Sequence, residues 1–368
     1  MSVGPTPLDI FRAKGVPHRR MEDWKYTDLR QVLDVETAER VRGVETVIAT
    51  PAGVEQASFH QLPQWAVRRL DTLHDAGAVE AVARAGDPDG AVFQVPAGEK
   101  IEQPLRLELA SAGNRQIVVI LERGASLTLV EVHHVTDDGF RNLSPAIFLE
   151  EGAQLTHIRE AKAAHDLVSV ETISVFQEKG SVYRARFLNG GAKLSRTEVN
   201  ITLAGEGAEA DLSGVSVLGG KAHADITTRI DHAVPNTTSR QLFKNVAGGH
   251  SRAIYQGKIT VSEGAIGSDS RQTAKALLLS AHAEADLKPE LEIFADDVKC
   301  AHGAAVGDLD TDSLFYLRSR GIPEGEARGL LIHAFLQEVV DGIEDVGIRG
   351  AAVEFIELGL AQAMKDAP

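Results

Sequence analysis

Short turns built from glycine and a second small residue recur along the middle of this chain at a nearly constant distance. One series has intervals of 28, 28 and 27 residues, at Gly124, Gly152, Gly180 and Gly207. A second series lies between them with intervals of 28 and 29 residues, at Gly191, Gly219 and Gly248. A fixed period of this length is typical of repeat architectures, in which each repeat packs mainly against its neighbours.

The segments that follow these turns have the pattern of strands. GAQLTHIRE begins at Gly152 and GSVYRARF begins at Gly180, and both alternate apolar with polar residues. Such alternation is typical of a strand with one buried face. A third example, within residues 116–135, places four residues on one side of its strand: Leu127, Leu129, Glu131 and His133.

Two turns in each period indicate that one repeat is a coil of two strands. Stacked coils of this kind form a parallel β-helix or a closely related flattened solenoid. A β-sandwich also uses short strands and glycine turns, and it is the competing interpretation. A sandwich has no reason to keep one period over four turns, so we expect a mainly β, solenoid core.

Residues 1–90 are expected to be mainly helical. Thr6 and Pro7 are a favourable pair for the start of a helix, and Gly15 is expected to end it. A second helical pattern covers residues 62–86. Three of its apolar residues are predicted to share the packed side: Trp65, Leu70 and Leu73.

The end of the chain is predicted to be helical again. Asp310 or Asp312 can cap a helix that Gly321 ends, and Pro323 suits the first turn of the next one. A third helix is expected over residues 351–364. The second helix has an apolar stripe formed by Ala327, Leu330, Leu331, Ala334, Phe335 and Val339.

Three domains follow from these patterns: an N-terminal helical domain over residues 1–90, a β-helix core over 91–308 and a C-terminal helical domain over 309–368. The apolar stripe of the last domain has two interpretations. It packs onto the end of the solenoid, where a terminal coil needs a cap, or it docks a partner. Composition favours packing onto the solenoid.

The net charge of −15 argues against a general nucleic-acid binder, because phosphate binding needs a basic face. A single cysteine excludes a disulfide within the chain and fits a reducing compartment. We find no apolar run of membrane-spanning length and no signal-peptide pattern at the N-terminus. The expected location is therefore the cytoplasm, with no membrane partner.

The cysteine, Cys300, precedes His302 by two residues. On an extended strand both side chains project from the same face, where a thiolate and an imidazole suit a soft or borderline metal. A lone cysteine is more often a small buried hydrophobe, but the charged neighbours Asp297 and Lys299 favour a functional role. One cysteine cannot hold a closed zinc or iron–sulfur site, so further ligands must come from elsewhere in the fold or from another chain.

Two other candidates are weaker. Asp296 and Asp297 resemble an acid–base pair, but neighbours on a strand point to opposite faces, so solvation or turn formation is the expected role. Histidines on stacked strands can align across coils, which allows a metal cluster, although for most of them we expect a solvated or hydrogen-bonded surface position. They are His133, His134, His157, His165, His223, His232, His250 and His282. None has a compact zinc spacing such as HExxH.

We find no phosphate loop, no GxGxxG fingerprint and no GxSxG or cysteine-protease motif. The sequence therefore indicates neither a nucleotide site nor a self-contained active site, and we expect a protein that is not an enzyme. The alternative is a β-helix enzyme acting on polysaccharide with Asp296 or Asp297 as acid or base. An aromatic content of only 5% argues against this alternative.

Three segments resemble the SufB/SufD family of iron–sulfur cluster assembly proteins. KPELEIFADDVKCAHGAAVGDLDTDSLFYLRSRGI, residues 288–322, is similar to the family's C-terminal signature, and ARGLLIHAFLQEVV, residues 327–340, to the helix that follows it. RRMEDWKYTDLR, residues 19–30, resembles the amino-terminal element of the SufD branch. SufB-like chains carry a cysteine where this chain has Ala276, which also points to the SufD branch.

The resemblance implies a flattened right-handed parallel β-helix with helical domains at both ends. It also implies a scaffold that pairs with a SufB-like paralogue and binds a SufC-like ATPase through its C-terminal helices. In the family, residues matching Cys300 and His302 lie near the junction of the two paralogues and are implicated in cluster formation. No cofactor is then expected on the isolated chain, and iron or an iron–sulfur cluster is expected to be shared with SufB in the complex. A homodimer of the isolated chain is compatible with this pairing habit. The remaining alternative is an interaction module in which the cysteine is structural.

Overall fold

The structure is a computed structural model. It describes residues 7–34, 43, 46–73, 82–83, 87, 90–136, 138–163 and 166–365.

Strands are the main secondary structure of the described chain and belong to two sheets of nine strands each. The first sheet contains, in spatial order, β1 (Thr46–Ala49), β4 (Leu105–Leu109), β6 (Ser126–Val135), β8 (Gln154–Ala163), β10 (Val182–Asn189), β12 (Glu209–Leu218), β14 (Thr238–Ala247), β16 (Asp269–Leu278) and β18 (Lys299–Gly307). The second contains β2 (Glu55–Ala57), β3 (Ala91–Val95), β5 (Gly113–Leu121), β7 (Gly139–Leu149), β9 (Leu167–Gln177), β11 (Leu194–Leu203), β13 (His223–His232), β15 (Arg252–Val261) and β17 (Glu284–Ile293).

From β3 onward, successive strands alternate between the two sheets, so that two strands and two turns complete one coil. Each strand pairs in parallel with the strand two places later, as Gln154 with Val182 and Val182 with Glu209. These partners are one repeat apart in sequence, so the period of the glycine turns is the period of the stack. The predicted solenoid is confirmed, with about eight turns, and the β-sandwich is excluded.

The repeated glycines form the corners of the coils. Gly124 and Gly152 have φ values of 69° and 68°, a left-handed conformation that a side chain disfavours. The backbone N–H of Gly124 donates to the carbonyl of Glu151 at 2.8 Å, and that of Gly152 donates to Lys179 at 2.8 Å. Each corner is thus hydrogen-bonded to the next coil. Glycine is favoured there by the left-handed backbone and not by lack of space, since a Cβ at Gly124 would meet no atom within 4 Å.

The inward residues of both sheets form one continuous core between them. Leu127 and Leu129 from the first sheet meet Ile147 and Ile173 from the second, and all four are buried. Alternate residues along the strands reach this core, as the sequence pattern predicts. Apolar burial of about 25 cal/mol for each Å² removed from water makes this layer the main source of stability.

The described part of the N-terminal region contains strands as well as the predicted helices. It contains α1 (Pro7–Lys14) and α2 (Gln64–Leu73), but also β1 and β2, which pair antiparallel with β4 and β3 at the start of the solenoid. Gly15 does end α1, with φ of 73° and its N–H donated to the carbonyl of Phe11 at 2.7 Å. The predicted cap at Thr6 lies outside the described residues. Of the 62–86 helix beyond Leu73, the structure describes only Val82 and Ala83, which are helical and buried.

The predicted packed side of α2 is partly confirmed. Leu70 is buried, and Trp65 is half-buried with its ring edge-on to Phe148 at 5.5 Å between centroids. The side chain of Leu73 lies outside the described residues.

The C-terminal helices are α3 (Thr311–Ser319), α4 (Glu324–Val340) and α5 (Val346–Lys365). Asp310 caps α3 by accepting from the N–H of Ser313 at 2.6 Å, and Gly321 follows α3 with φ of 87°. Pro323 immediately precedes α4. The capping predictions are therefore confirmed, and the third helix is longer than expected.

These helices do not pack where the sequence suggested. Helices α4 and α5 lie across the outer face of the first sheet, against β10, β12 and β14, and not on the end of the solenoid. The residues of α4 that are buried there are Ala327, Ile332, Leu336, Val339 and Val340. Leu330 and Ala334 were predicted to belong to the packed stripe of this helix, but they are exposed. The helix packs on the outer face of the sheet and not on the open end of the solenoid, so a different set of its residues is buried.

Candidate functional site

Cys300 and His302 lie on β18, the final strand of the first sheet. Cys300 pairs with Ser270 and His302 pairs with Gln272 on β16. Both β16 residues are inward-facing and buried. Cys300 and His302 therefore project from the inward side of the last coil, and the prediction that they share one face of a strand is confirmed.

The last coil is open. β17 and β18 are the edge strands of their sheets at this end of the stack, and no further described coil covers them. Ile293 on β17 and Val306 on β18 pair with buried inward residues of the previous coil, yet they are 42% and 47% exposed. An inward face built like the core is thus left facing solvent.

Cys300 is the more sheltered of the two candidate ligands. It is half-buried beside the small apolar cluster formed by Ile259, Val261 and Leu291. Burial raises the pKa of the Cys300 thiol, and the charge of Asp269 acts in the same direction. Metal binding here requires loss of the thiol proton. His302 is exposed, so its imidazole can meet an approaching chain.

Asp296 and Asp297 lie in the bend between β17 and β18, not on a strand. Asp297 has φ of 53°, and its carbonyl accepts from the N–H of Gly267 at 3.0 Å. Both aspartates are exposed. The expected turn role is confirmed, and both side chains are open to solvent, whereas an acid–base mechanism on a glycan uses an enclosed cleft.

A second group of ionisable side chains lies inside the solenoid, where the sequence allowed a cluster of aligned histidines but placed most histidines at the surface. Glu131 and His133 on β6, His157 on β8 and Glu171 on β9 all point into the core and are at most 1% exposed. The expectation that most histidines lie at the surface is wrong for His133 and His157. Their inward position follows from the same strand alternation that buries Leu127 and Leu129.

The interior group, which we call the inner cluster, comprises Glu131, His133, His157 and Glu171. Glu131 Oε2 lies 3.2 Å from His157 Nε2 and 3.5 Å from His133 Nε2. Donor atoms of Glu131, His133 and Glu171 lie within 4.8 Å of one another. His157 Nδ1 is held by the hydroxyl of Tyr183 at 2.9 Å, which leaves Nε2 turned toward the cluster.

Two arginines adjoin the inner cluster. Arg159 forms a buried ion pair with Glu171, and Arg141 donates to the hydroxyl of Ser169 at 3.0 Å and 3.2 Å. Burial raises the pKa of Glu171. Burial together with the charges of Arg159 and Arg141 lowers the pKa of His133 to about 3, so this imidazole is neutral at pH 7.

The signal for the inner cluster was present in the sequence. Glu131 and His133 occupy the same strand face as Leu127 and Leu129, so a charged residue and a histidine stand at core positions. Such residues are rarely buried without partners. The partners His157 and Glu171 come from the following coil, and only the stacking register brings them together.

His232 is a third buried histidine, and it differs from those of the inner cluster. Its Nδ1 lies 2.8 Å from the Thr237 hydroxyl and its Nε2 lies 2.9 Å from the Ser239 hydroxyl. Burial lowers its pKa to about 4. His134, His250 and His282 are exposed, His223 is half-buried, and His165 lies outside the described residues.

The segment of residues 19–30 that resembles the SufD branch docks on the outer face of the second sheet through Trp24 and Thr27. The Arg196 guanidinium lies over the Trp24 ring at 4.2 Å, and Thr27 donates to Asp225 Oδ2 at 2.5 Å. Arg196 donates to the same carboxylate oxygen at 2.5 Å. These contacts bind the N-terminal segment to β11 and β13, so the segment has a structural role.

The C-terminal helices present apolar side chains to solvent. On α3, Phe315 and Tyr316 are 72% and 57% exposed, and on α4 Leu330 is 48% exposed. Val346 and Leu358 of α5 are also exposed. Large apolar side chains clustered on exposed helices are typical of protein interaction sites. None of the described helices combines the length and the apolar character that crossing a membrane would need.

Comparison with known proteins gives a consistent result. Residues 107–335 match the family model for the SUF system FeS cluster assembly, SufBD core domain. An iron–sulfur cluster assembly SufBD family protein of Synechocystis is 30% identical over 93% of this chain and 87% of its own length. SufD of Escherichia coli is 34% identical over 62% of this chain and 55% of its own length. A SufBD family protein of Mycobacterium tuberculosis is 26% identical over 95% and 90% of the two chains.

Proposed function

Because this chain belongs to the SufB/SufD family of iron–sulfur cluster assembly proteins, we propose that it is a non-catalytic scaffold subunit of the SufD type. In this proposal it pairs with a SufB-like paralogue and with a SufC-like ATPase. The complex acquires iron and builds a nascent cluster, which is its cargo and not a resident cofactor of this chain.

The open last coil is the observation that carries this proposal. Its inward face carries Cys300, His302 and Val306 on β18 and Ile293 on β17, at positions where every preceding coil is covered. Unpaired strand edges and a partly apolar face are stabilised when another strand pairs with them. A second solenoid that ends in the same way supplies such strands, and a paralogue is the natural source.

The chemistry of the two candidate ligands fits a shared site. Iron–sulfur clusters are held by about four protein ligands, mostly thiolates, with imidazole as a known substitute. Cys300 and His302 provide two at most. Ligands from the facing chain complete the set, and the junction then encloses the cluster. A site divided between two chains also explains why one cysteine is enough here.

The ATPase is proposed to dock on the C-terminal helices. Phe315 and Tyr316 of α3 and Leu330 of α4 are large, exposed side chains of the helical domain and are the proposed contacts. Lys244 of β14 ties α4 to the solenoid by donating to the carbonyl of Phe335 at 2.6 Å and to Glu338 Oε2 at 2.5 Å. A movement of the docked ATPase would therefore reach the first sheet directly.

A second function is favoured by one observation. Cys300 is half-buried beside Ile259 and Leu291, and its pKa is raised, as for a small hydrophobe that completes the packing of the last coil. In that case the chain is an interaction module whose cysteine is structural. Pairing with the paralogue would occur, but the thiol would not affect the cluster.

Co-expression with a SufB-like chain and a SufC-like ATPase separates the two functions. The complex is purified without oxygen, and iron and acid-labile sulfide are measured per complex for the wild type, Cys300→Ala and His302→Ala. Lys299→Ala is the matched control, because it lies on the same strand but pairs with the outward-facing Asp269. Circular dichroism checks that every variant is folded.

The scaffold function predicts that Cys300→Ala and His302→Ala lower iron and sulfide while the complex still forms, and that Lys299→Ala leaves them unchanged. Wild-type iron and sulfide in Cys300→Ala would support the structural cysteine instead. Failure of this chain to co-purify with both partners would contradict the proposed function altogether.

A further inference from the structure

We propose that the inner cluster is a second, internal metal site, which binds one first-row divalent transition ion through Glu131, His133, His157 and Glu171. This inference does not rest on the proposed function of the last coil. The four residues lie on β6, β8 and β9, several coils away from β18.

The first argument is the state of the donor atoms. Both carboxylate oxygens of Glu131, both ring nitrogens of His133 and Nε2 of His157 are buried, and none makes a regular hydrogen bond to a described residue outside the cluster. Glu171 Oε1 is likewise without a hydrogen bond to the described part of the chain, whereas Glu171 Oε2 is paired with Arg159. A buried polar atom without a hydrogen bond costs roughly 1–3 kcal/mol, and more when it is charged. Several such atoms that converge on one point indicate that something polar binds between them.

The second argument is the spacing of these atoms. Donors bound to a tetrahedral ion at about 2.0–2.1 Å lie about 3.4 Å from one another. Glu131 Oε2 lies 3.2 Å from His157 Nε2 and 3.5 Å from His133 Nε2. Ligand atoms of Glu131, His133 and Glu171 lie within 4.8 Å of one another, so these three residues must move closer together to enclose an ion. His157 Nε2 is not part of this group of three and would join it from the side of Glu131 Oε2.

The third argument is the outer partner of His157. Histidine ligands are usually oriented by a hydrogen bond at the ring nitrogen that does not bind the metal. Tyr183 makes this bond to Nδ1 at 2.9 Å and presents Nε2 to the cluster. His232, by contrast, has both ring nitrogens within hydrogen-bond distance of hydroxyl groups and therefore has none to offer.

The donor set defines the class of ion. Two imidazoles with carboxylates suit zinc, iron(II) or manganese(II), whereas magnesium and calcium prefer oxygen ligands alone. Arg159 is paired with Glu171, and Arg141 lies beyond it. Their positive charges oppose a cation, so this site is expected to bind more weakly than the same ligands would alone.

The test uses the full chain with Cys300→Ala and His302→Ala, so that the last coil cannot contribute ligands. The protein is unfolded in chelator, refolded with zinc, manganese(II), iron(II) without oxygen, or magnesium, and passed through a column containing EDTA. Bound metal is measured by mass spectrometry. In this background, Glu131→Gln and His133→Asn remove ligands, and His232→Asn is the matched control for loss of a buried imidazole.

The proposal predicts about one transition ion per chain, resistant to brief EDTA treatment because the site is enclosed. The control variant retains the ion, magnesium is not retained, and Glu131→Gln and His133→Asn lose the ion. The metal also raises the unfolding midpoint of the background chain but not of Glu131→Gln. Should a ligand variant fail to refold, the metal content and midpoint of the background chain decide alone.

Two results would overturn the proposal. One is a background chain that refolds fully yet holds no metal, which would make the inner cluster a metal-free ionic network. The other is metal that EDTA removes at once, or that remains in both ligand variants, which would assign it to surface histidines.

Discussion

The coil that carries the inner cluster and the last coil place their polar residues on the same side of the first sheet, but neighbouring coils cover only the former. Glu131 and His133 on β6 and Cys300 and His302 on β18 all project from the inward side of the first sheet. The coils on either side of β6 seal its polar residues in the core, whereas the last coil has nothing described beyond it. Identical strand geometry therefore produces a sealed polar group in one place and an exposed binding face in the other.

This difference shows that coverage, and not residue type, determines the chemistry of an inward residue in a solenoid. A sealed residue must find its partners within the chain, because an unpartnered polar group in the core is costly. An inward residue of the final coil can find its partners in another chain. The following predictions compare the sealed interior of the solenoid with the open last coil, beginning with the largest expected effect.

Arg159→Met should destabilise the chain strongly. The substitution leaves Glu171 in the core without its ion-pair partner, and breaking a buried pair in this way costs about 3–5 kcal/mol. Urea unfolding in the presence of chelator measures the change. Lys258→Met is the control, since it breaks a half-exposed pair with Glu292 and should cost at most about 1 kcal/mol. Equal effects of the two variants would contradict the sealed character of the inner cluster.

The next largest difference is expected when one isoleucine is truncated in the central core and one in the open last coil. Ile201 is a 2% exposed member of the central core, and Ile201→Ala is expected to cost about 2–5 kcal/mol. Ile293 occupies an inward position of the open coil at 42% exposure, and Ile293→Ala should cost below about 1 kcal/mol in the isolated chain. Both are compared by denaturant midpoint at low protein concentration. A large cost at Ile293 would mean that the last coil is already covered, for example by a second copy.

Acid should lower the free energy of unfolding through the buried imidazole of His232. Burial, with the charge of Arg240, lowers its pKa to about 4, whereas Asp269 opposes this and the usual value is 6.5. The unfolded chain binds a proton below pH 6.5 and the folded chain only near pH 4. Stability is therefore fully present above pH 6.5 and declines toward pH 4, by up to about 3 kcal/mol from this group.

The measurement is the free energy of unfolding at pH 7, 6, 5 and 4 for the wild type and His232→Asn. The variant should lose part of the decline between pH 6.5 and 4. His302→Asn, which changes an exposed imidazole of the open coil, should decline as the wild type does. An unchanged pH dependence in His232→Asn would contradict the prediction.

The smallest effect is expected for His302→Ala. This side chain is exposed, and surface substitutions usually change stability by at most about 0.5 kcal/mol. The thermal midpoint of the isolated chain should thus be the same within error. A clear loss of stability would show that His302 has a structural role, and a loss of cluster in this variant could then not be assigned to ligation.

Much of the fold was predictable because its determinants are local. The corner glycines, the strand alternation and the cap at Asp310 each act over a few residues, and all three are borne out. The strands β1 and β2 were not expected, since they are short and pair with strands far along the chain. The docking of α4 and α5 on the outer sheet was also missed, because an apolar stripe does not say which surface it covers.

The site was predictable to a smaller extent. The shared face of Cys300 and His302 follows from their spacing, and the structure agrees. The inner cluster requires His157 and Glu171 to stack beside Glu131, and no single segment contains that information. The useful signal was Glu131, a charged residue at a core position of an otherwise apolar strand face. A buried charge of this kind needs a partner, and in a solenoid the partner can come from the next coil.

The most direct test of the open coil is hydrogen exchange of its backbone amides, in this chain alone and in complex with a SufB-like partner. Strands β17 and β18 are edges in the isolated chain, and pairing with another chain would protect them. We predict slower exchange over residues 284–307 in the complex and unchanged exchange in β8, residues 154–163, inside the stack. Equal exchange of β17 and β18 with and without the partner would contradict the account.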